Sequence, residues 1–384
     1  MMAERLYRQE HRIFQATARR FVDEEILPHR EAWEEAGTVP RDVWRKAGQA
    51  GLLCCDMPEE FGGAGGDFIH NVVLAQEMAR AGGGGPAFSG HSDVAVPYIL
   101  KYGTPAQKRQ WLPLAASGEA IIAIAMTEPH AGSDLQAIRT TAKRVGDSFV
   151  INGQKVFISN AQQAHMVIVA CKTDPSAGAK GISLILVETD RPGFVRGKAL
   201  KKIGRKAQDT LELFFDDVRV PATHLLGEVE GQGFYQLMGL LVQERLSSAV
   251  RSTSMMQIAL DETIDYVRQR EAFGKPIAAF QNTQFEIADL WSGFLTHRVF
   301  VEWCIERHIE GRLSAVEAAA VKLRASEFEG HLIDRCLQFF GGMGYMWETP
   351  IARAYADARV NRISAGSNHI LKMLIGRDLL KSGT

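Results

Sequence analysis

The chain lacks most of the features that place a protein in a class at first sight. Its five cysteines, Cys54, Cys55, Cys171, Cys304 and Cys336, form no C-x-x-C pair. That argues against a disulfide framework or a zinc site and implies buried or free thiols in a reducing compartment. Surplus charge is also missing: 44 Lys and Arg face 45 Asp and Glu, a formal net charge of −1. No global field gathers a polyanion, so nucleic acid is not an expected partner. No apolar run approaches the roughly 20 residues that span a bilayer. The opening "MMAERLYRQEHRIF" is charged throughout and has no secretory h-region, so a cytoplasmic location is expected. There is no H-E-x-x-H, no pair of histidines near clustered carboxylates and no G-x-S-x-G elbow, so neither a metal site nor a serine-hydrolase nucleophile is expected.

With 46% apolar and 23% charged residues over 384 positions, the composition is that of a globular protein too long for one ordinary core. Three regimes follow one another. Up to about residue 120 the periodicity is helical, with Leu6, Ile13, Phe14 and Phe21 near one stripe. Thr104 and Pro105 stand as N-cap and first residue of a later helix. From 121 to 225 the pattern is that of strands. "SFVINGQKVFIS" reads as two runs joined by an Asn152-Gly153 hairpin, followed by "MVIVACKT", "GISLILVET" and "TLELFFDDVRVP". No helical segment separates them, so an antiparallel sheet or barrel is expected. From 226 to 384 long helical segments return, near 232–270, 278–310, 313–340 and 366–380. "FGGAGG" and "AGGGGP" follow no strand and read as helix connections rather than phosphate loops.

Five stretches carry residues suited to chemistry. In "IAIAMTEPHAGSDL" a strand runs to Thr127 and a turn exposes Ser133 and Asp134, presenting hydroxyls and backbone N–H groups. In "KVFISN", Phe157 and Ser159 share a strand face, which suits a planar ring, although core packing explains Phe157 alone. In "LMGLLVQERLSSAV", Glu244 shares a helix face with Leu240, Leu241, Ser247 and Ser248. A carboxylate among such neighbours is desolvated, and its pKa rises toward the range of a general base. Arg245 points about 100° away around the helix and need not neutralise it. "RQREAFGKPIAAFQ" reads as a helix ending at Gly274, with Arg270 either complementing the helix terminus or reaching a phosphate. "CLQFFGGMGYMWETPIARAYADARV" offers Gly341, Gly342 and Gly344 for close backbone approach, with Gln338 and Trp347 as candidate contacts.

In order, and over nearly the whole chain, these stretches resemble the acyl-CoA dehydrogenase family. "AMTEPHAGSDL" is similar to its first signature, "QFFGGMGYMWETPIARAYADAR" to its second, and "QREAFGKPIAAFQ" falls between them. The resemblance implies an α+β architecture: an N-terminal helical domain (1–120), a middle β-barrel or sandwich domain (121–225) and a C-terminal four-helix bundle (226–384). It implies one FAD per subunit, usually in a homotetramer that passes electrons to an electron-transferring flavoprotein. The reaction implied is removal of the α-proton of an acyl-CoA by a carboxylate and of the β-hydrogen as hydride, giving the trans-2-enoyl-CoA.

By resemblance, Ile124, Ala125, Met126 and Thr127 contact the flavin ring, Phe157, Ile158 and Ser159 lie beside it, and Ser133 touches both FAD and the pantetheine arm. Arg270, Phe273 and Gln281 meet the FAD pyrophosphate or adenosine across a subunit interface. Gln338, Gly341 and Gly342 line the adenine side, and Ser367 and His369 contact FAD. Gln243, Arg245 and Gly366 fall to the substrate.

Much of the family carries its catalytic Glu in a Tyr-Glu-Gly-Thr run where this chain has "SAGS", with Ala365 at the Glu position. Long-chain and isovaleryl members instead place a Glu before an Arg on the first long C-terminal helix, and Glu244-Arg245 matches that pair. The resemblance is closest to the long-chain branch, with Glu244 as base. Two departures are Ser364 for a common Tyr and His369 for a Gln or Glu; a wider pocket there suits a branched acyl chain. The alternatives are a flavin monooxygenase or oxidase of the same fold and a non-catalytic FAD-binding relative.

Overall fold

The computed structural model describes residues 4–381; the first and last three residues, at the ends of the expected first and third domains, lie outside it. Six helices come first: α1 Gln9–Phe21, α2 Arg30–Ala36, α3 Arg41–Gln49, α4 Phe68–Ala79, α5 Val96–Tyr102 and α6 Pro105–Ala116. Helix α6 starts as expected. Thr104 Oγ1 accepts from the Gln107 N–H at 3.2 Å and Gln107 Oε1 accepts from the Thr104 N–H at 3.0 Å, closing a capping box before Pro105.

Helix α1 departs from the expected stripe. Ile13 is exposed, and the buried face is His11, Gln15, Ala18 and Phe21. Its polar members are paired: His11 Nε2 lies 3.0 Å from Asp67 Oδ1, and Gln15 Nε2 donates to Glu77 at 2.9 Å. Buried polar groups with partners replaced the apolar face that periodicity favoured. His11, Asp67 and His70 converge within 4.8 Å of one another. The Arg8 guanidinium bonds Asp67 at 2.6 Å, and Asp67 caps the Ile69 N–H at 3.0 Å.

The middle of the chain forms strands β1 Ile122–Ala125, β2 Thr141–Val145, β3 Ser148–Ser159, β4 Met166–Lys172, β5 Ile182–Glu188, β6 Phe194–Ala199 and β7 Thr210–Pro221. They make one sheet in the order β1-β4-β2-β3-β7-β6, with β5 on β4. It is mixed rather than antiparallel, because β1 runs parallel to β4 from Ile122–Met166 to Ala125–Val169. The Asn152-Gly153 hairpin is not formed. Both halves of β3 pair with β7, Phe149 with Val220 and Lys155 with Leu213, so the dipeptide sits at a register shift inside one strand. Gly153 has φ 146°, and a Cβ there would lie 2.5 Å from Thr140 Oγ1, the constraint of a bulge. The turn falls at Gly146-Asp147, where Val145 pairs with Ser148.

Helix α7, Gly233–Gln269, follows; its 37 residues make a rod about 55 Å long. It ends five residues before Gly274, correcting the expected terminus. Beyond it β8 Glu271–Ala272 and β9 Lys275–Pro276 form a small hairpin whose turn residues, Phe273 and Gly274, have φ 53° and 79°, the positive pair of a type I′ turn. Then come α8 Gln281–Ile309, α9 Ala315–Phe339, α10 Pro350–Ala358 and α11 Asn368–Leu379. The three parts of the chain meet at buried Asp357, which accepts the Gly83 N–H at 2.8 Å and the Arg205 N–H. All five cysteines are buried and unpaired. Among the described residues no helix is long and apolar enough to cross a membrane.

Candidate active site

Glu244 sits eleven residues into α7, on the face it shares with Leu240, Ser247, Ser248 and Arg251 at helical spacing. Its Oε2 is sealed from solvent and has no hydrogen-bond partner. Burial raises its pKa above the ordinary 4.5, opposed by the charges of Arg251, Arg245 and Lys322. Arg245 is therefore not electrostatically remote, as its angle around the helix suggested. It is buried, its Nε is unpartnered, and its charge acts on the carboxylate. Tyr98 of α5 packs on the same region, its hydroxyl 3.5 Å from the Leu237 carbonyl. The arrangement is that of a proton acceptor: an isolated carboxylate becomes a stronger base as water is removed.

The pH profile follows. A carboxyl accepts a proton only when ionised, so with Glu244 in the role of base kcat/KM should rise with pH through an inflection above 4.5, and Glu244→Gln should abolish that limb. Between the unfolded and the raised folded pKa the native state binds the extra proton, so this group's contribution to stability falls as pH increases.

The turn from Ser364 to Asn368 faces this helix. Ala365 and Gly366 have φ 54° and 85°, two consecutive left-handed residues, a conformation that glycine adopts freely and alanine, with its Cβ, only at a cost. An ideal Cβ on Gly366 would stand 3.8 Å from Arg245 Nη2, which brings Gly366 and Arg245 together. Lys322 of α9, 0% exposed, holds the turn: its Nζ donates to the Gly366 carbonyl at 2.9 Å and to Asn368 Oδ1 at 3.1 Å. Burial, then Arg245, lowers its pKa to about 8. Asn368 Nδ2 donates in turn to Ser326 Oγ at 3.1 Å and to Glu327 Oε1 at 2.9 Å. The sequence reading missed Lys322. Lys322 was detectable, since it falls on the stripe of Ala318, Val321 and Ala325 that α9 buries. Ser367 precedes α11 without a side-chain cap, and His369 is exposed.

A second group gathers at the edge of the sheet. Strand β1 ends at Ala125, two residues before the expected Thr127. Lys155, 0% exposed, bonds the Met126 carbonyl at 3.0 Å and Glu128 at 2.8 Å, while the Val156 N–H donates to the Thr127 carbonyl at 2.9 Å. These bonds lay the loop carrying Thr127 and exposed Ser133 against β3. Phe157 is not core: a register shift between Lys155 and Ile158 gives it φ 62° and leaves it 67% exposed beside exposed Ser159, while Ile158 is buried.

Arg270, Phe273 and Gln281 do not join Glu244. They follow the far end of α7, roughly 37 Å along the helix axis. Phe273 is 96% exposed in a left-handed turn. Gln338, Gly341 and Gly342 lie at the same end, where Phe340 stacks on Tyr266 of α7 at 4.2 Å. Trp347 is engaged within the chain, bonding Glu34 at 2.9 Å under the Lys206 ammonium. Gln243 lines a cavity of about 410 Å³ with Val96, Pro97, Leu100, Leu240 and Val242.

An exposed aromatic ring held in a left-handed conformation beside hydroxyls, and two glycines where an added Cβ would meet nothing within 4 Å, fit a planar, phosphate-bearing group. Together with a dry carboxylate, the fold and the site define a flavin-dependent oxidoreductase that takes a proton from carbon. Family models for the N-terminal, middle and C-terminal domains of acyl-CoA dehydrogenases match residues 8–119, 123–218 and 231–380, and the chain belongs to the acyl-CoA dehydrogenase family.

It is 48% identical over 98% of its length to the long-chain specific acyl-CoA dehydrogenase of Rattus norvegicus, 88% of which is covered. An acyl-CoA dehydrogenase structure from Geobacillus kaustophilus is 44% identical, with TM-score 0.95 over 97% of this chain and 99% of that one. One from Bacillus anthracis, complexed with FAD, is 30% identical, with TM-score 0.90 over 98% of this chain and 67% of that one. The activity is FAD-dependent dehydrogenation of acyl-CoA thioesters, favoured over the oxidase and non-catalytic alternatives.

Proposed function

We propose that Glu244 is the catalytic base and that the substrate is a long-chain or branched acyl-CoA. The observation that carries this reading is Glu244 Oε2, buried and unpartnered on a helix face that continues through Ser247 and Ser248. The thioester α-proton passes to that oxygen. Neutralising the carboxylate removes the cost of its burial, so the transfer gains driving force that an exposed glutamate would not have. Lys322 holds the Ala365-Gly366 turn, and the charges of Arg245 and Lys322 act on Glu244 without an ion pair that would quench the base. FAD, when bound, supplies the hydride acceptor.

Ile124 to Thr127, Ser133 and Phe157 to Ser159 would hold its ring side, with Ser367 and His369. Arg270, Phe273, Gln281, Gln338, Gly341 and Gly342 would meet the pyrophosphate and adenosine of a neighbouring copy. The length of α7 supports that division, since it sets Arg270 and Phe273 roughly 37 Å along its axis from Glu244, and the exposed Phe273 supports an assembled form. A homotetramer is the assembly we infer, with an electron-transferring flavoprotein as acceptor. Gln243, Arg245 and Gly366 would line the thioester end. Buried, unpaired cysteines accord with a reducing compartment such as the cytoplasm.

Anaerobic bleaching of the purified holoenzyme by a panel of straight and branched acyl-CoAs tests the reading. Long or branched chains should bleach it fastest. Preference for short straight chains would overturn the substrate class, and no bleaching by any ester would overturn the function.

A further inference from the structure

Past Glu244, the same face of α7 stays polar where an aliphatic chain would call for Leu or Val. Ser247, Ser248 and Arg251 follow the base at spacings of three, four and seven residues, the positions that share one side of a helix. Ser247 is 5% exposed, yet its Oγ has no hydrogen-bond partner. Arg251 Nη1 is likewise shielded from solvent and unpartnered. The nearest carboxylate to it, Asp93 from the π-helical segment Gly90–Ala95 that runs into α5, has Oδ2 at 4.0 Å, beyond hydrogen-bond range. Buried donors are nearly always satisfied, and two orphans in line with a catalytic carboxylate point to a ligand atom between them.

We propose that the acyl chain this enzyme prefers is oxygenated, and that Arg251 Nη1 and Ser247 Oγ donate hydrogen bonds to a hydroxyl or carbonyl oxygen on it. The inference rests on Glu244 as base, which fixes the α-carbon at one end of the stripe. Arg251 lies two turns further, roughly 10 Å along the helix, so the oxygen belongs in the distal half of a long chain rather than beside the thioester. A neutral oxygen is favoured over a terminal carboxylate. Three carboxyl groups, Asp93, Glu244 and Glu329, already act on Arg251, so its guanidinium does not need an anionic chain end as a counter-charge. Glu329 itself is held by Ser252 at 2.8 Å and Asn361 at 2.8 Å, which leaves Arg251 Nη1 and Ser247 Oγ as donors without partners.

The test compares straight-chain acyl-CoAs of one length, unsubstituted or bearing one keto group at successive carbons beyond mid-chain. The best keto ester should exceed the unsubstituted one by about ten-fold or more in kcat/KM, because a site built to hydrogen-bond an oxygen discriminates against the chain that lacks it. In Arg251→Leu and in Ser247→Ala the ratio should fall toward one; as a ratio it cancels any common effect on the base. FAD content and thermal midpoint identify a variant that fails to fold, and Ser247→Ala, the smaller change, then decides. Equal or better turnover of the unsubstituted chain, preference for an ω-carboxy chain, or an unchanged ratio in folded Ser247→Ala would overturn the inference while leaving the dehydrogenation intact. Failure of every ester to bleach the flavin would overturn both.

Discussion

Glu244→Gln is expected to retain FAD and to bind acyl-CoA esters, and to lose up to about four orders of magnitude in kcat. The substitution keeps the shape of the side chain and removes only its basicity. Gln has an N–H₂ where Oε2 stands buried and unpartnered, and that amide cannot accept the α-proton. No nearby group replaces it. Ala365 has no titratable atom, the charged groups that act on Glu244, Arg251, Arg245 and Lys322, are cations, and burial keeps the Tyr98 hydroxyl protonated. Stopped-flow bleaching separates binding from chemistry: the spectral change on ester binding should persist while reduction stalls. A kcat within about ten-fold of the native enzyme, a difference of only about 1.4 kcal/mol in barrier, would move the base elsewhere.

Lys155→Met should be the most destabilising single change in the sheet, at about 3–5 kcal/mol. Lys155 and Glu128 are both buried, 2.8 Å apart. Burial alone would raise the Glu128 pKa, but Lys155, Thr140 and the Arg139 N–H hold it below the ordinary 4.5. Removing the ammonium leaves a buried carboxylate with its strongest partner gone and frees the Met126 carbonyl. The loop carrying Thr127 and Ser133 then loses its anchor to β3, so FAD affinity should fall together with the melting temperature. The double variant Lys155→Met/Glu128→Gln should recover part of the loss, because it removes the stranded charge. Calorimetry of both variants checks this, and a midpoint within about one degree of the parent for Lys155→Met would contradict it.

How much could be read in advance varied with the range of the interaction. Thr104-Pro105 announced the start of α6 because a cap is decided by its own few residues. Glu244 stood out because a helix face is a local property: its neighbours at three and four positions were apolar or small before any tertiary contact was known. Asn152-Gly153 misled for the complementary reason. The dipeptide favours a turn, but both flanking segments found the same partner in β7, and the glycine served a bulge instead. Ile13 misled because α1 buries His11 and Gln15, whose partners Asp67 and Glu77 are 56 and 62 residues away. Phe273-Gly274 read as the end of a helix and proved to be a hairpin turn.

Local chemistry written in the chain determined the order helix, sheet, helix, the caps, and the carboxylate on an apolar helix face. Only the tertiary structure decided what that carboxylate experiences. Its missing partner, the cations around it, the lysine that holds Ala365-Gly366 and the polar stripe running on to Arg251 all arise where α5, α7, α9 and the turn before α11 close together. Desolvation is set by every neighbour at once, and those neighbours lie far apart along the chain.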